Sequence, residues 1–200
     1  MARHASGEQR RTERGTERRG QEQPSLFGGT AALTEAGAGP RPLTLLIDGT
    51  ALAYRSYFAL KRLSTSRGVP TNAVYGFVRA LLDHLRASRP GSEVAVVFDA
   101  PGRTVRAEEY EEYKAHRPPM PSDLPQQLGI IKHLIDLLGV PRVELSGTEA
   151  DDLLATLAKQ AVAAGRRVEI VTSDRDDLQL VSEHVSVRSP DSRKLIDPAE

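Results

Sequence analysis

Cysteine is absent from the 200 residues, which excludes disulfides and thiolate metal sites and fits a reducing cytoplasm. Net charge is absent as well, 27 Lys and Arg balancing 27 Asp and Glu. No global basic field therefore draws the chain to nucleic acid, although a local basic patch suffices for that. The apolar runs are far too short to cross a membrane. The Arg-bearing N-terminus lacks the apolar stretch that a secretory signal needs. Neither G-x-x-x-x-G-K-[ST] nor G-x-G-x-x-G occurs, so both nucleotide-binding fingerprints are missing. Without G-x-S-x-G there is no nucleophile elbow. His4, His84, His116, His133 and His184 show no metal-ligand spacing. Each reads most simply as a surface or helix-face residue. No internal repeat is present.

The chain has two textures. Residues 1–41 are rich in Arg, Glu, Gly and Gln with few large apolar residues. Such a segment cannot bury enough surface to offset its ordering entropy, and it is expected to be a disordered, solvated tail. Residues 42–200 are globular in pattern, and long enough for one α/β domain with a real core. "LTLLID", "VAVVFDA" and "RRVEIVTSD" are short apolar runs that each end in an acid, and they read as buried strands. "RVEL" and "VSVRS" read as further short strands. Between them lie helical patterns. These are "ALAYRSYFAL", "NAVYGFVRALLDHLRAS" stopped by Pro90-Gly91, the charged "TVRAEEYEEYKAHR", "SDLPQQLGIIKHLIDLLG" with Ser122 as N-cap, and a short "DDLQLVS". Alternating strands and helices predict a mainly parallel sheet covered on both faces. Ligands of such sheets bind beyond the carboxyl ends of the strands.

That rule bears on the acids. Asp48, Asp99 and Asp174 each end a strand, and in a parallel sheet those ends share one edge. "GTEADDLLATLAKQ" opens a helix after the strand "RVEL", so Glu149, Asp151 and Asp152 face the same edge, because Cβ vectors tilt towards a helix N-terminus. Asp176 follows Asp174 by two residues. Taken singly, each acid has a bland reading as a solvated strand end or cap. Thr148 with Asp151 reads as a capping box, and first-turn acids suit the helix dipole. Taken together, the seven carboxylates would repel or take up protons without a cation. Oxygen-only ligands select Mg²⁺ or Mn²⁺ over Zn²⁺. Two such ions about 4 Å apart suit in-line attack on a phosphodiester.

Five ordered blocks carry a resemblance: "LLIDGTALAYRSYFAL", "TSRGVPTNAVYGF", "VVFDAPGRTVRAEEYEEYKAHRPPMPSDLPQQ", "GTEADDLLATLAKQA" and "TSDRDDLQLV". From about Leu43 to the end, the chain resembles the 5′-nuclease domain of bacterial DNA polymerase I, within the flap endonuclease superfamily and its PIN-like α/β core. The resemblance implies that Asp48, Asp99, Glu149, Asp151, Asp152, Asp174 and Asp176 bind metal. It implies that Lys114 and Arg117, on a helical arch, engage the scissile phosphate, and that Arg55 and Arg106 are basic positions near the substrate. Tyr54 and Tyr113 are packing or base-stacking residues, with packing favoured for Tyr54. The implied function is metal-dependent 5′-3′ exonuclease and flap endonuclease action on DNA with 5′ flaps, nicks or 5′ ends. The implied setting is replication and repair in the cytoplasm, at the nucleoid. No partner subunit is implied, and a monomer is the default expectation.

There are departures from the family. Thr50 stands where members often have His, and Arg175 replaces a usual Lys. The family's helix-hairpin-helix-like element and the D-x-x-D aspartates that complete its second metal site are expected past Glu200. On that reading the core is incomplete at its C-terminal side, and the second ion site with it. Two rivals remain. One is a DNA-binding module that recognises structured DNA without cutting it. The other is a PIN-type ribonuclease, against which the arch-like "EEYEEYKAHR" argues.

Overall fold

The first apolar run is the middle strand of the molecule. In the computed structural model, which describes residues 41–100, 119–190 and 195–196, strand β1 spans Leu43–Asp48 and leads directly into helix α1, Gly49–Ala59. Helix α2 (Asn72–Ala87), strand β2 (Glu93–Val97), helix α3 (Leu124–Leu137) and the two-residue strand β3 (Arg142–Val143) follow. Helix α4 (Ala150–Ala163), strand β4 (Arg167–Val171), a short 3₁₀ helix (Asp176–Leu180) and strand β5 (Val185–Arg188) complete the order. The expected tail, and the arch segment carrying Arg106, Tyr113, Lys114 and Arg117, lie outside the described residues.

All five strands pair in parallel, in the order β3-β2-β1-β4-β5. Side chains alternate across a strand, and β1 shows what that does. Leu45 and Ile47 point to one face and join a core with Leu52 of α1, Phe77 and Leu81 of α2, and Ile131 and Ile135 of α3. Leu46 points to the other face and joins Leu153, Leu154 and Leu157 of α4. Both faces are thus covered, and the central strand reads as a continuous apolar run for that reason.

Three helices crowd onto the first face, and buried polar groups set their register. Gln127 of α3 is fully buried; its Oε1 accepts the Ala73 N–H at 2.8 Å and its amide donates to Asn72 Oδ1 at 3.1 Å. Asn72 in turn donates to the Tyr57 carbonyl of α1 at 2.8 Å. The free N–H groups at the start of α2 are thereby satisfied from a neighbouring helix.

Two expectations are corrected. Helix α3 has Asp123, not Ser122, at its N-cap. Helix α4 begins at Ala150 with Glu149 at the N-cap and no capping bond from its own side chain, so Thr148 is not the cap. His84, expected on the surface or a helix face, lies on the buried face of α2 with its Nδ1 3.0 Å from Arg188 Nη2. Arg188 of β5 also pairs with Glu169 of β4.

Strand order reverses at β1. The chain moves from β1 outward through β2 and β3 on one side, then returns to β4 and β5 on the other. The gap above the β1 and β4 ends is the switch point where such sheets receive ligands.

Candidate metal centre

Asp48 closes β1 and starts α1, and those two jobs fix its side chain. Its Oδ1 accepts the Ala51 N–H at 2.8 Å as the N-cap of α1, and its Oδ2 accepts the Thr172 hydroxyl at 2.9 Å. Thr172 follows β4, so this bond ties the two central strands together across the switch point. Asp48 is buried, and burial is the main force that pushes its pKa up to about 6. The two hydrogen bonds pull it down, and the charges of Asp151 and Asp99 push it up again.

Asp99 lies just past β2, exposed over the same edge. Its N–H donates to Thr50 Oγ1 at 3.0 Å, so the threonine that departs from the family pattern anchors the neighbouring acid. Its Oδ1 accepts the Ala150 N–H at 2.8 Å. An acid from another strand therefore caps α4, which is why that helix needs no cap of its own. Asp151 and Asp152 sit half-buried in the first turn of α4, and Glu149 is buried at its N-cap.

After β4, the Thr172 Oγ1 accepts the Asp174 N–H at 3.0 Å, and Asp174 Oδ1 accepts the Asp176 N–H at 3.0 Å. Asp176 is exposed, whereas the next residue, Asp177, is buried with 1 % of its surface accessible. The carboxylates of Asp48, Asp151 and Asp177 each offer an oxygen within 4.8 Å of the other two, a group that could hold a metal ion. Burial raises the Asp177 pKa to about 7; a bond from Thr172 lowers it, and Asp151, Asp48 and Asp174 raise it further.

The structure thus brings Asp48, Asp99, Asp151 and Asp174 to one cleft of about 860 Å³. Glu149 and Asp152 flank Asp151 on the turn that opens on it. Asp176 stands at the entrance to the 3₁₀ helix, exposed. Arg55 is half-buried on α1. Tyr54 packs against the core, as favoured for it, and also lines the cleft beside Phe58, Met120 and Leu128. The acidic motifs do not point to Asp177 or Thr172. A signal for Asp177 is nonetheless present: it stands three residues before Leu180, which packs against the core. In a 3₁₀ helix residues at i and i+3 share a face.

A parallel five-stranded sheet with carboxylates gathered over its switch point defines a PIN-like core. Residues 43–200 match the family model of the 5′-3′ exonuclease N-terminal resolvase-like domain, and the chain belongs to that family. A thermostable DNA polymerase I of Thermus thermophilus is 53 % identical over 160 residues, which cover 80 % of this chain and 19 % of the relative. A 5′-3′ exonuclease of Aquifex aeolicus is 48 % identical over 145 residues, covering 72 % of this chain and 50 % of the relative. The chain therefore spans about a fifth of the DNA polymerase I relative and half of the exonuclease. Among solved structures, T5 5′-exonuclease with bound zinc superposes with a TM-score of 0.53 at 22 % identity, over 78 % of this chain and 58 % of that one. The catalytic core of Rad2 in complex with DNA substrate gives 0.50 at 17 %, over 80 % and 48 %. These two support the fold.

Proposed function

We propose that this chain is the nuclease part of a DNA polymerase I-type protein, a divalent-cation-dependent 5′-3′ exonuclease and flap endonuclease. Its substrates are phosphodiesters near the 5′ ends of flapped, branched or nicked DNA. The observation that carries this reading is the convergence of Asp48, Asp151 and Asp177 within 4.8 Å at the switch point, with Asp99 and Asp174 on the same cleft. Membership of the exonuclease family, the DNA polymerase I and exonuclease relatives, and the DNA held by the Rad2 core all support it.

The residues fit a hard cation. Every candidate donor is a carboxylate oxygen, and one buried oxygen, Asp177 Oδ2, has no hydrogen-bond donor. Such a set suits Mg²⁺ or Mn²⁺. Asp48, Asp99, Glu149, Asp151, Asp152, Asp174 and Asp176 are the proposed holding set, as one or two sites. When bound, the cation supplies charge to a phosphate oxygen and acidifies water. The protein's own part is positional. Capping bonds fix Asp48 and Asp99, and the wall of Tyr54, Phe58 and Met120 offers an apolar surface beside the carboxylates. Arg55, Arg106, Tyr113, Lys114 and Arg117 are proposed to contact DNA, through backbone phosphates and stacking rather than base sequence. Lys114 and Arg117 are proposed to hold the scissile phosphate.

The test is cleavage of a labelled 5′-flap DNA, and of the same flap in RNA, by the polymerase I-type protein carrying this domain, with Mg²⁺ and with chelator. Cation-dependent cut DNA is expected. Tight binding without cleavage would favour the non-cutting DNA-binding module, and preference for RNA would favour the ribonuclease. In the same assay Lys114→Ala should slow single-turnover cleavage by orders of magnitude while changing DNA affinity little, because help given mainly in the transition state appears in turnover. An unchanged rate removes that role.

A further inference from the structure

Asp177 lies outside every acidic position that the family pattern supplies, yet it is the most deeply buried acid of the edge, at 1 % accessible. In a 3₁₀ helix consecutive side chains diverge by about 120°, so only one of Asp176 and Asp177 can face inward. The chain turns Asp177 in and leaves Asp176 exposed. Its Oδ2 has no hydrogen-bond partner. Among the described residues, the side-chain donor in reach is the Thr172 hydroxyl, which has one proton to share between Asp177 and Asp48. The charges that act on Asp177 are those of Asp151, Asp48 and Asp174, all negative. A buried acceptor left unpaired among like charges is costly. An apolar residue would fill the place without that cost.

We propose that Asp177 is a further ligand of the divalent cation, closing the inner side of a seat whose other walls are Asp48 and Asp151. A metal–oxygen distance of about 2.1 Å sets opposite ligands about 4.2 Å apart. Three oxygens already within 4.8 Å of one another need to close by roughly half an ångström to meet that limit. The seat joins three separate elements: the end of β1, the first turn of α4 and the 3₁₀ helix after β4. A cation there ties the two halves of the sheet together at the point where strand order reverses. The proposal rests on the reading of the acidic edge as a cation site, and adds to it one residue and one position.

The test is Mn²⁺ titration calorimetry on the full chain and its Asp177→Asn, Asp177→Ala and Asp48→Asn variants, with thermal unfolding of each in chelator. Asp177→Ala should weaken Mn²⁺ on the order of 10- to 100-fold. Asp177→Asn, which keeps the shape and one carbonyl oxygen, should fall between Asp177→Ala and the parent. Both should unfold in chelator at the parent's temperature or above it, since each removes a repelled charge. Parent-like Mn²⁺ affinity in both Asp177 variants, with affinity lost in Asp48→Asn, would overturn the role of Asp177 alone. So would weaker binding accompanied by a lower unfolding temperature in chelator, which marks a structural residue. A parent chain that binds no Mn²⁺ would overturn this proposal and the cation site together.

Discussion

A carboxylate that caps a helix has its direction fixed before any cation arrives. Asp48 caps α1 and Asp99 caps α4, so the two acids that end adjacent strands are held by backbone N–H groups, which do not move with rotamers. Thr172 adds a third hold, bonding Asp48 through its hydroxyl and Asp174 through that acid's N–H. The Thr172 bond lowers the Asp48 pKa against the larger effect of burial. Thr172→Val should therefore raise that pKa, so that protons compete better with the cation. Mn²⁺ affinity measured from pH 5 to 8 should fall off at a higher pH than in the parent; superposable profiles would show that the hydroxyl does not matter. Strand-end acids are legible in sequence because an apolar run that stops at an Asp marks both the strand and the edge where it ends. Thr172 is not legible, since a threonine after a strand carries no signal of which carboxylate it reaches across the sheet.

At the scale of elements, hydrophobic period and stop residues placed every described helix and strand, but the caps went astray. Caps are predicted from the residue just before a helix, whereas α4 is capped by Asp99, 51 positions away. Likewise the start of α2 is satisfied by Gln127 of α3. Long-range partners of this kind leave no local pattern. The contact of α1 with α2 is a second such case. Gly76 lets the helices approach so closely that a Cβ there would lie 2.8 Å from Ser56 Cβ and 3.1 Å from its Oγ. Ser56 Cβ cannot swing away, being fixed to the α1 backbone. Gly76→Ala should thus cost about 1–3 kcal/mol through overpacking, in spite of the better helix propensity of alanine. Chemical denaturation measures this cost, and a stabilised variant would mean that the helices slide apart freely.

The whole molecule gathers carboxylates at one edge of the sheet, two of them buried with raised pKa values, and its stability should respond to pH accordingly. Asp48 and Asp177 have folded pKa values raised from 3.8 to about 6 and about 7. The native state then binds more protons than the unfolded chain, from about pH 4 upward, and cation-free stability falls as pH rises through that window. Buried His84 acts oppositely. Burial, aided by Arg188, lowers its pKa from 6.5 to about 4, so its contribution is lost as pH falls below 6.5. The two effects offset each other in acid, and the carboxylate effect stands alone above pH 6.5. Cation-free unfolding temperature should drop between pH 6.5 and 8, and the drop should be much smaller in an Asp48→Asn/Asp177→Asn chain. Whether "GTEADDLLATLAKQ" begins a cation site or merely a capped helix is decided by thermal unfolding of the parent and Asp151→Asn chains with and without Mg²⁺. At a cation concentration a hundred times Kd, binding to the native state alone is worth about 2.7 kcal/mol. For a chain of this size that is a rise of roughly 5–10 °C. A cation site requires that rise in the parent and a much smaller one in Asp151→Asn, with cation-free unfolding unchanged or slightly higher in the variant. Equal Mg²⁺-induced rises in the two chains, or none in the parent, would contradict it.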